Sequence, residues 1–314
     1  MENAIVVPQS TYINPYTDFG FKKLFGEEAS KDLLIDFLNQ LLPQEYQVVD
    51  LEFRNPEVPP EIPIYRKAIF DIHCENEKKD KFVVEMQKSR LEYFKDRVIF
   101  YMTFPIRNQA PKGGMLKIVK DKEKKVDWNF QLQPVYFVGV LDFDFAPAEA
   151  RSDEYVVEVE YKDQKNKVFY DKLKYFFVVM PRFNKTESEL NTHKDKWIYF
   201  LKNLSSFDAI PTILNEPIFQ RGFEVAKVSN YNAEQLAAYE QSYNDYLSFK
   251  SSLDYSFQEG KEEGEKIGIE KGEFLKAQKT AIEMIKDGES NEKIKRYTGL
   301  TDEQINELRK QFDA

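Results

Sequence analysis

Apolar residues recur along the chain first at helical spacing, then at alternate positions, then at helical spacing again, and each switch marks a change of element. Phe21, Leu24 and Phe25 sit three and four apart within Asp18–Gly26, behind Asn14-Pro15-Tyr16-Thr17, and predict a short helix that Gly26 ends. Leu33, Leu34, Phe37, Leu38, Leu41 and Leu42 predict a second helix over Ser30–Leu42, whose apolar stripe should lie on a sheet. Three strands follow: Tyr46–Phe53, then Arg66–Cys74 beyond a proline-rich stretch from Pro56 to Pro63, then Lys81–Gln87. Leu91, Phe94, Val98, Tyr101 and Met102 predict a helix of about twenty residues ending near Asn108, since Pro111-Lys112-Gly113-Gly114 cannot easily continue it and Pro105 weakens its last turn. Gln133–Leu141 is nearly continuous in apolar residues, as in a strand buried on both faces, whereas Asp153–Tyr161 alternates and reads as half exposed. A strand over Lys174–Met180 and a helix over Thr186–Leu204, opened by a Thr186/Glu189 capping box, complete this part. Helix, three strands, helix, strand is an α/β order with a mixed sheet.

Beyond Ile210 the pattern is helical and dotted with aromatics as far as Lys250. Glycine then stands at every fourth position, at Gly260, Gly264, Gly268 and Gly272, which puts all four on one helix face at about 1 kcal/mol each against alanine. Such a stretch serves either as a pliable charged linker or as a face for close helix–helix contact, including self-association into a homo-oligomer. Three short helices are expected at the end, Leu275–Lys286, Asn291–Tyr297 and Asp302–Phe312, with Thr301 and Gln304 as a capping box and Gly299 closing the helix before. Their arrangement resembles a helix-turn-helix, but the charges are mixed, so packing or protein contact competes with DNA contact as its use. The expected division is 1–209, an α/β domain; 210–258, a helical extension; and 259–314, the glycine-spaced helix with its helical tail.

Composition narrows the function. One cysteine, Cys74, excludes an internal disulfide framework and fits a reducing compartment, so a cytoplasmic location is expected. Two histidines and one cysteine make a Cys/His zinc site untenable. No stretch approaches the ~20 apolar residues of a membrane span, and the N-terminal residues lack the basic start and apolar run of a secretory leader. The 26 Phe and 18 Tyr are most simply core and interface. The net charge of −9 argues against nucleic acid, but its distribution reverses the argument. Residues 66–125 hold 16 Lys and Arg against 9 Asp and Glu, a local +7 that leaves −16 for the remainder, and phosphate binding depends on local fields.

That basic stretch contains the one place where chemistry is expected. The strands Arg66–Cys74 and Lys81–Gln87, joined by Asn76–Asp80, each carry a carboxylate in an apolar run, which is costly unless the acid is paired or bound to a metal. Alternation puts Glu85 and Gln87 on one face and Phe82, Val84 and Met86 on the other, while Asp71 shares its face with Ile69 and His73. With a five-residue loop Asp71 sits across from Glu85, the Cβ atoms about 5 Å apart. Two acids that close repel each other unless a hard divalent cation lies between them, and Mg²⁺ takes one or two carboxylates with water and phosphate oxygens. The plainer alternative is a pair of strand acids neutralised by lysine or arginine. His73 faces the same way, although a lone histidine beside a loop is usually structural.

An Asp, then Glu-x-Lys on the next strand, is the core of the PD-(D/E)XK nucleases; here the pieces are Phe70-Asp71-Ile72 and Val84-Glu85-Met86-Gln87. With Asn14-Pro15, Asp18-Phe19-Gly20-Phe21-Lys22-Lys23-Leu24-Phe25, Leu33–Asn39 and Arg97-Val98-Ile99-Phe100-Tyr101, the chain resembles the bacterial PD-(D/E)XK nuclease family transposases, also called recombination-promoting nucleases. The resemblance covers most of the chain, its tail included. It implies a restriction-endonuclease-like core, a mixed central sheet flanked by helices, with an α-helical C-terminal extension. It also implies a Mg²⁺- or Mn²⁺-dependent DNA endonuclease linked to recombination or mobile elements, with DNA as partner and no membrane. Asp71 and Glu85 become metal ligands, and Gln87 takes the place of the superfamily lysine, a change the family tolerates. Gln87 can orient a water but supplies no charge and cannot act as a base. Lys88, Lys22 and Lys23 are candidates for the missing cation, Asp18 for a further acid, and Arg97 and Tyr101, four apart on the following helix, for contact with phosphate or, equally, for packing on the sheet.

Two functions from different classes therefore stand. One is the endonuclease. The other is a nuclease-like scaffold without catalysis that binds protein or DNA through its helical tail.

Overall fold

The computed structural model of the protein describes residues 10–54, 71–89, 91–110, 115–119, 122–126, 129–146 and 152–311. Two helices lead, α1 (Asp18–Phe25) and α2 (Lys31–Leu41), followed by strands β1 (Leu51–Phe53), β2 (Ile72–Asn76) and β3 (Lys81–Gln87). Helix α3 (Phe94–Arg107), a separate hairpin of β4 (Met115–Val119) and β5 (Lys122–Val126), and strands β6 (Val135–Leu141), β7 (Val156–Lys162) and β8 (Val168–Val179) come next. Helices α4 (His193–Asn203), α5 (Pro217–Ala226), α6 (Ala233–Lys286), α7 (Asn291–Thr298) and α8 (Asp302–Lys310) complete the chain.

Six strands form one mixed sheet in the order β1-β2-β3-β6-β8-β7. The β3–β6 and β6–β8 pairs are parallel and the others antiparallel. Every residue of β6 is buried, as its unbroken apolar run requires of a central strand. Period-two alternation divides the sheet between two cores. Phe82, Val84, Met86, Val138, Val140, Phe176 and Val178 pack on one side with Phe21, Leu24 and Phe25 of α1, the leucines of α2, Trp197 and Phe200 of α4, and Phe219 and Phe223 of α5. Val83, Phe137, Leu141, Tyr175, Phe177 and Val179 face the other way, beneath Phe94, Val98, Tyr101 and Met102 of α3. The expected α/β architecture with a helical C-terminal region is thus present. Among the described residues no helix is long and apolar enough to cross a membrane.

Several boundaries differ from the expected ones for identifiable reasons. Residues 44–46 form a 3₁₀ turn and β1 is only three residues long, because the Asn39 side chain takes both backbone groups of Val48, at 2.8 and 2.7 Å, that a sheet neighbour would otherwise use. The Thr186/Glu189 box is real but caps a 3₁₀ turn, and α4 starts instead behind a second box, Thr192 with Asp195. Pro105 lies in the last turn of α3, where its missing N–H does least harm. The expected strand residues 66–70 and the stretches Pro56 to Pro63 and Pro111 to Gly114 lie outside the described residues.

The chain groups into two compact units, 1–246 and 247–314. The first holds the sheet, α1–α5 and the start of α6, whose Tyr239 is buried and whose hydroxyl accepts the Asn14 N–H at 2.9 Å. In the second, the glycine-spaced stretch lies within the continuous helix α6, and a Cβ placed on any of its four glycines would meet nothing within 4 Å. Ala281, Ile294, Leu300, Ile305 and Leu308 make a small core of α6, α7 and α8. Gly299 closes α7 at φ +71°, a conformation that glycine adopts without steric cost.

Candidate active site

The β2–β3 register sets Ile72 against Val84 and His73 against Val83. One pair further out, Asp71 falls across from Glu85. Asp71 lies just before the first residue of β2, and its carboxylate accepts the Met86 N–H at 2.7 Å, so the side chain takes over a backbone bond at the strand's end. Glu85 is 2% exposed. Its Oε2 accepts from Gln87 Nε2 at 2.7 Å, but its Oε1 is buried with no hydrogen-bond partner.

A buried acid left in this state resists ionisation. Burial pushes Glu85 up to about 8, the charge of Asp71 adds to the rise, and Arg97 and the Gln87 hydrogen bond counter only part of it. Burial likewise pushes Asp71 up to about 6, against the Met86 N–H; Asp18 raises it further, and Lys22 and Lys88 oppose.

The other groups around the pair come from α1, the end of β3, and α3. Thr17 caps α1 through the Gly20 N–H at 2.9 Å and donates its hydroxyl to the Asn14 carbonyl at 2.7 Å. A Cβ on Gly20 would lie 2.2 Å from that carbonyl, so the motif Asn14-x-x-Thr17-x-x-Gly20 fixes where α1 starts and hence where Asp18 and Lys22 stand. Those two form a salt bridge of 2.9 Å, and both line a groove of about 540 Å³ between α1 and Gln241, Ser242 and Asp245 of α6. Lys88 Nζ lies 6.0 Å from the ring centre of Tyr246. From α3, Arg97 stacks 5.0 Å from the ring centre of Tyr101, and the charge of Glu85 acts on Tyr101, whose hydroxyl burial pushes up.

Asp71, Glu85, Gln87, Asp18, Lys22, Lys88, Arg97 and Tyr101 thus form one electrostatic neighbourhood. Lys23 does not join it; it pairs with Glu27 at 2.7 Å and lies over Tyr231. His73 is on the same sheet face and half-buried, and desolvation, reinforced by Lys81, pulls it down to about 4, so it is neutral at physiological pH. Asp142, one residue beyond β6, escaped the sequence reading. Its N–H donates to the Gln87 carbonyl at 2.9 Å, which seats a further acid at the carboxyl ends of the parallel strands. The available signal was its place as the first polar residue after the run Val135–Leu141, since sites in such sheets gather at those strand ends.

The family profile described as PD-(D/E)XK nuclease family transposase matches residues 15–256. The chain belongs to this family. No curated protein and no solved structure gives a significant match. The six-stranded mixed sheet with flanking helices is the PD-(D/E)XK-like α/β fold, and membership supports a nuclease or transposase-related role with hydrolase chemistry.

Nucleases of this superfamily generally use divalent metal ions, and the donors of this family member suit one. Glu85 Oε1 is a buried carboxylate oxygen without a partner, Asp71 brings a second carboxylate, and the amide of Gln87 adjoins them. Among the described residues no three His, Cys, Asp or Glu side chains converge on a point. That excludes from the described residues a closed cage of the structural zinc kind and fits a hard cation held by two carboxylates, water and substrate oxygens.

Proposed function

We propose that this protein is a DNA endonuclease dependent on Mg²⁺ or Mn²⁺, acting in recombination or the movement of mobile elements, in the cytoplasm. The observation that carries the proposal is the pairing of Asp71 with Glu85, two desolvated acids of which one keeps a buried oxygen without a partner. Desolvation combined with a specific charge partner is the state in which functional acids are commonly held. Asp71 and Glu85 would hold the ion, which when bound neutralises phosphate charge and lowers the pKa of water.

The protein's own part is positional. Gln87 fixes Glu85 through its Nε2 and can orient a water. Lys22 and Lys88 place positive charge beside Asp71 and favour its ionised form. In the reaction one water is consumed per bond. Its oxygen bonds to phosphorus, the ester oxygen leaves and takes a proton as a hydroxyl, and the remaining proton passes to solvent.

The test is nicking of supercoiled plasmid across a series of divalent ions. Wild-type protein is expected to nick with Mg²⁺ or Mn²⁺ and to stop with chelator, and Asp71→Ala and Glu85→Ala should each abolish cleavage while circular dichroism stays native. Cleavage that survives both substitutions, or no cleavage with any ion, overturns the proposal. The second of these outcomes favours the scaffold function, for which oligomer size with and without residues 259–314 is the measurement.

A further inference from the structure

We propose that Arg97 is a catalytic residue: its guanidinium binds the non-bridging oxygens of the scissile phosphodiester and takes the electropositive part that Gln87 cannot play. The inference rests on the nuclease function proposed above. Gln87 brings no charge to the pair of acids, so a cation must come from elsewhere in the fold. Four basic residues are available from the sequence pattern, and the structure separates them. Lys23 is paired with Glu27 at 2.7 Å, Lys22 is held by Asp18 at 2.9 Å, and Lys88 lies over the Tyr246 ring. Among the described residues Arg97, unlike Lys22 and Lys23, closes no salt bridge, and unlike Lys88 it has a buried donor, its Nε, with no hydrogen-bond partner.

A structural arginine in this protein looks otherwise. Arg182 grips Asp144 through Nε and Nη2, each at 2.8 Å, and donates Nη1 to Ser152 Oγ at 3.1 Å and to the Glu154 carbonyl at 3.0 Å. Each of its three nitrogens donates at least once. Arg97 is held instead by Tyr101, on which its guanidinium stacks and with whose hydroxyl it shares a hydrogen bond, and α3 is pinned beneath it by Phe94, Val98 and Met102. It therefore stands half-buried with donors in reserve.

Helix α3 packs on the sheet face that Glu85 shares with Val83, and Arg97 favours the charged form of Glu85, yet no hydrogen bond or ion pair joins the two. Both carry a buried, unpartnered polar atom at one site, an acceptor on the acid and a donor on the base. A metal-bound phosphate would satisfy both. Guanidinium is always charged, and its planar fork suits two phosphate oxygens at once, which is why arginine is favoured where phosphate is gripped out of water.

The experiment is single-turnover plasmid nicking by the full-length protein with Mn²⁺, read beside the rise in melting temperature that Mn²⁺ produces without DNA. Arg97→Ala is expected to slow cleavage about 10²–10³-fold, the usual effect of removing one donor to a transition-state oxyanion, and to leave the Mn²⁺-induced rise intact. Arg97→Lys should recover part of the rate, and millimolar guanidinium should speed Arg97→Ala but not Asp71→Ala. Should Arg97→Ala lose its fold, Arg97→Gln keeps the stem, removes the charge and is read in the same way. An uncharged variant within threefold of wild type overturns the inference and leaves the endonuclease standing, provided Asp71→Ala is inactive. Loss of the Mn²⁺-induced rise together with activity also overturns it, since Arg97 would then support the metal ligands. A wild-type protein that nicks with no ion removes the endonuclease and this inference together.

Discussion

The two ends of the β2–β3 hairpin hold buried acids on one face of the sheet and treat them in opposite ways. At the turn, Glu75 receives Arg54 at 2.7 Å, Lys79 at 3.0 Å and Lys81 at 3.0 Å. Burial alone would raise its pKa, but those three hydrogen-bonded cations outweigh burial and bring it down to about 2. At the open end, Glu85 has one amide donor and an opposing acid, and it rises to about 8. Four residues of strand separate the two ends, ~13 Å at the usual rise. A carboxylate in a strand is therefore no sign of function in itself. What distinguishes the two ends is how much of each acid's hydrogen-bonding capacity the protein satisfies from its own residues.

The largest test of that contrast is catalytic. Glu85→Gln keeps the shape and the apolar packing but removes the charge, and cleavage should fall at least ~10³-fold, about 4 kcal/mol in barrier. The same substitution should stabilise the metal-free fold. A folded pKa raised above the unfolded one means that the native state binds more protons between about 4.5 and 8, so wild-type stability falls as pH rises through that window. Glu85→Gln escapes the loss, and urea denaturation with chelator should show little difference from wild type at pH 5 and a gain on the order of 2 kcal/mol at pH 8. A variant that is less stable than wild type at pH 8 would mean that Glu85 is a satisfied structural acid like Glu75.

Divalent ion gives the next effect. Mn²⁺ at a hundredfold excess over its Kd should add about 2.7 kcal/mol to wild-type stability and nothing to Asp71→Ala. Its affinity should climb between pH 6 and 8 as the pair gives up its protons, which isothermal titration at several pH values reads directly. At the turn the sign reverses. Glu75→Gln should cost ~1–2 kcal/mol at neutral pH, a figure kept small because Arg54 and Lys79 are well exposed to solvent. Because the folded pKa is depressed, the contribution is complete above about pH 4.5 and is lost as pH falls towards 2. Cleavage by that variant should stay near wild type, so the two ends of one hairpin separate stability from catalysis.

Much of this was legible in the residues, and the limits have physical causes. Period-two alternation is strict in a sheet, so Phe82, Val84 and Met86 against Val83, Glu85 and Gln87 could be assigned to opposite faces before any coordinates, and the unbroken run of β6 located the central strand. The opposition of Asp71 and Glu85 followed from loop length, because hairpin register depends on the turn. Hydrogen-bond competition was not legible. Nothing in local sequence says that Asn39 will take the backbone of Val48, or that of two capping boxes the second, Thr192 with Asp195, opens α4. Charge partners were the least legible, because they are set by tertiary approach. Lys22 and Lys23 are neighbours in sequence, yet one acts on Asp71 and the other on Glu27, and Asp142 reaches Gln87 only through a parallel strand pair.

The smallest effect belongs to Gln87, and it bears most directly on why the two ends differ. Its amide is the single hydrogen-bond donor that Glu85 receives from the described residues, and it favours the ionised carboxylate. Gln87→Ala should leave the fold intact, raise the pKa of Glu85 further, and slow cleavage about tenfold near neutrality, ~1.4 kcal/mol in barrier, with the loss shrinking as pH rises past the new pKa. An alkaline shift of the pH–rate profile is the decisive readout, because a glutamine that only orients water would lower the rate equally at every pH. A flat loss would assign Gln87 to the water, and a shifted profile would assign it to the acid beside it. In the second case Glu85 is held at the edge of ionisation by one amide where Glu75 has three cations, and a metal ion can complete what that amide begins.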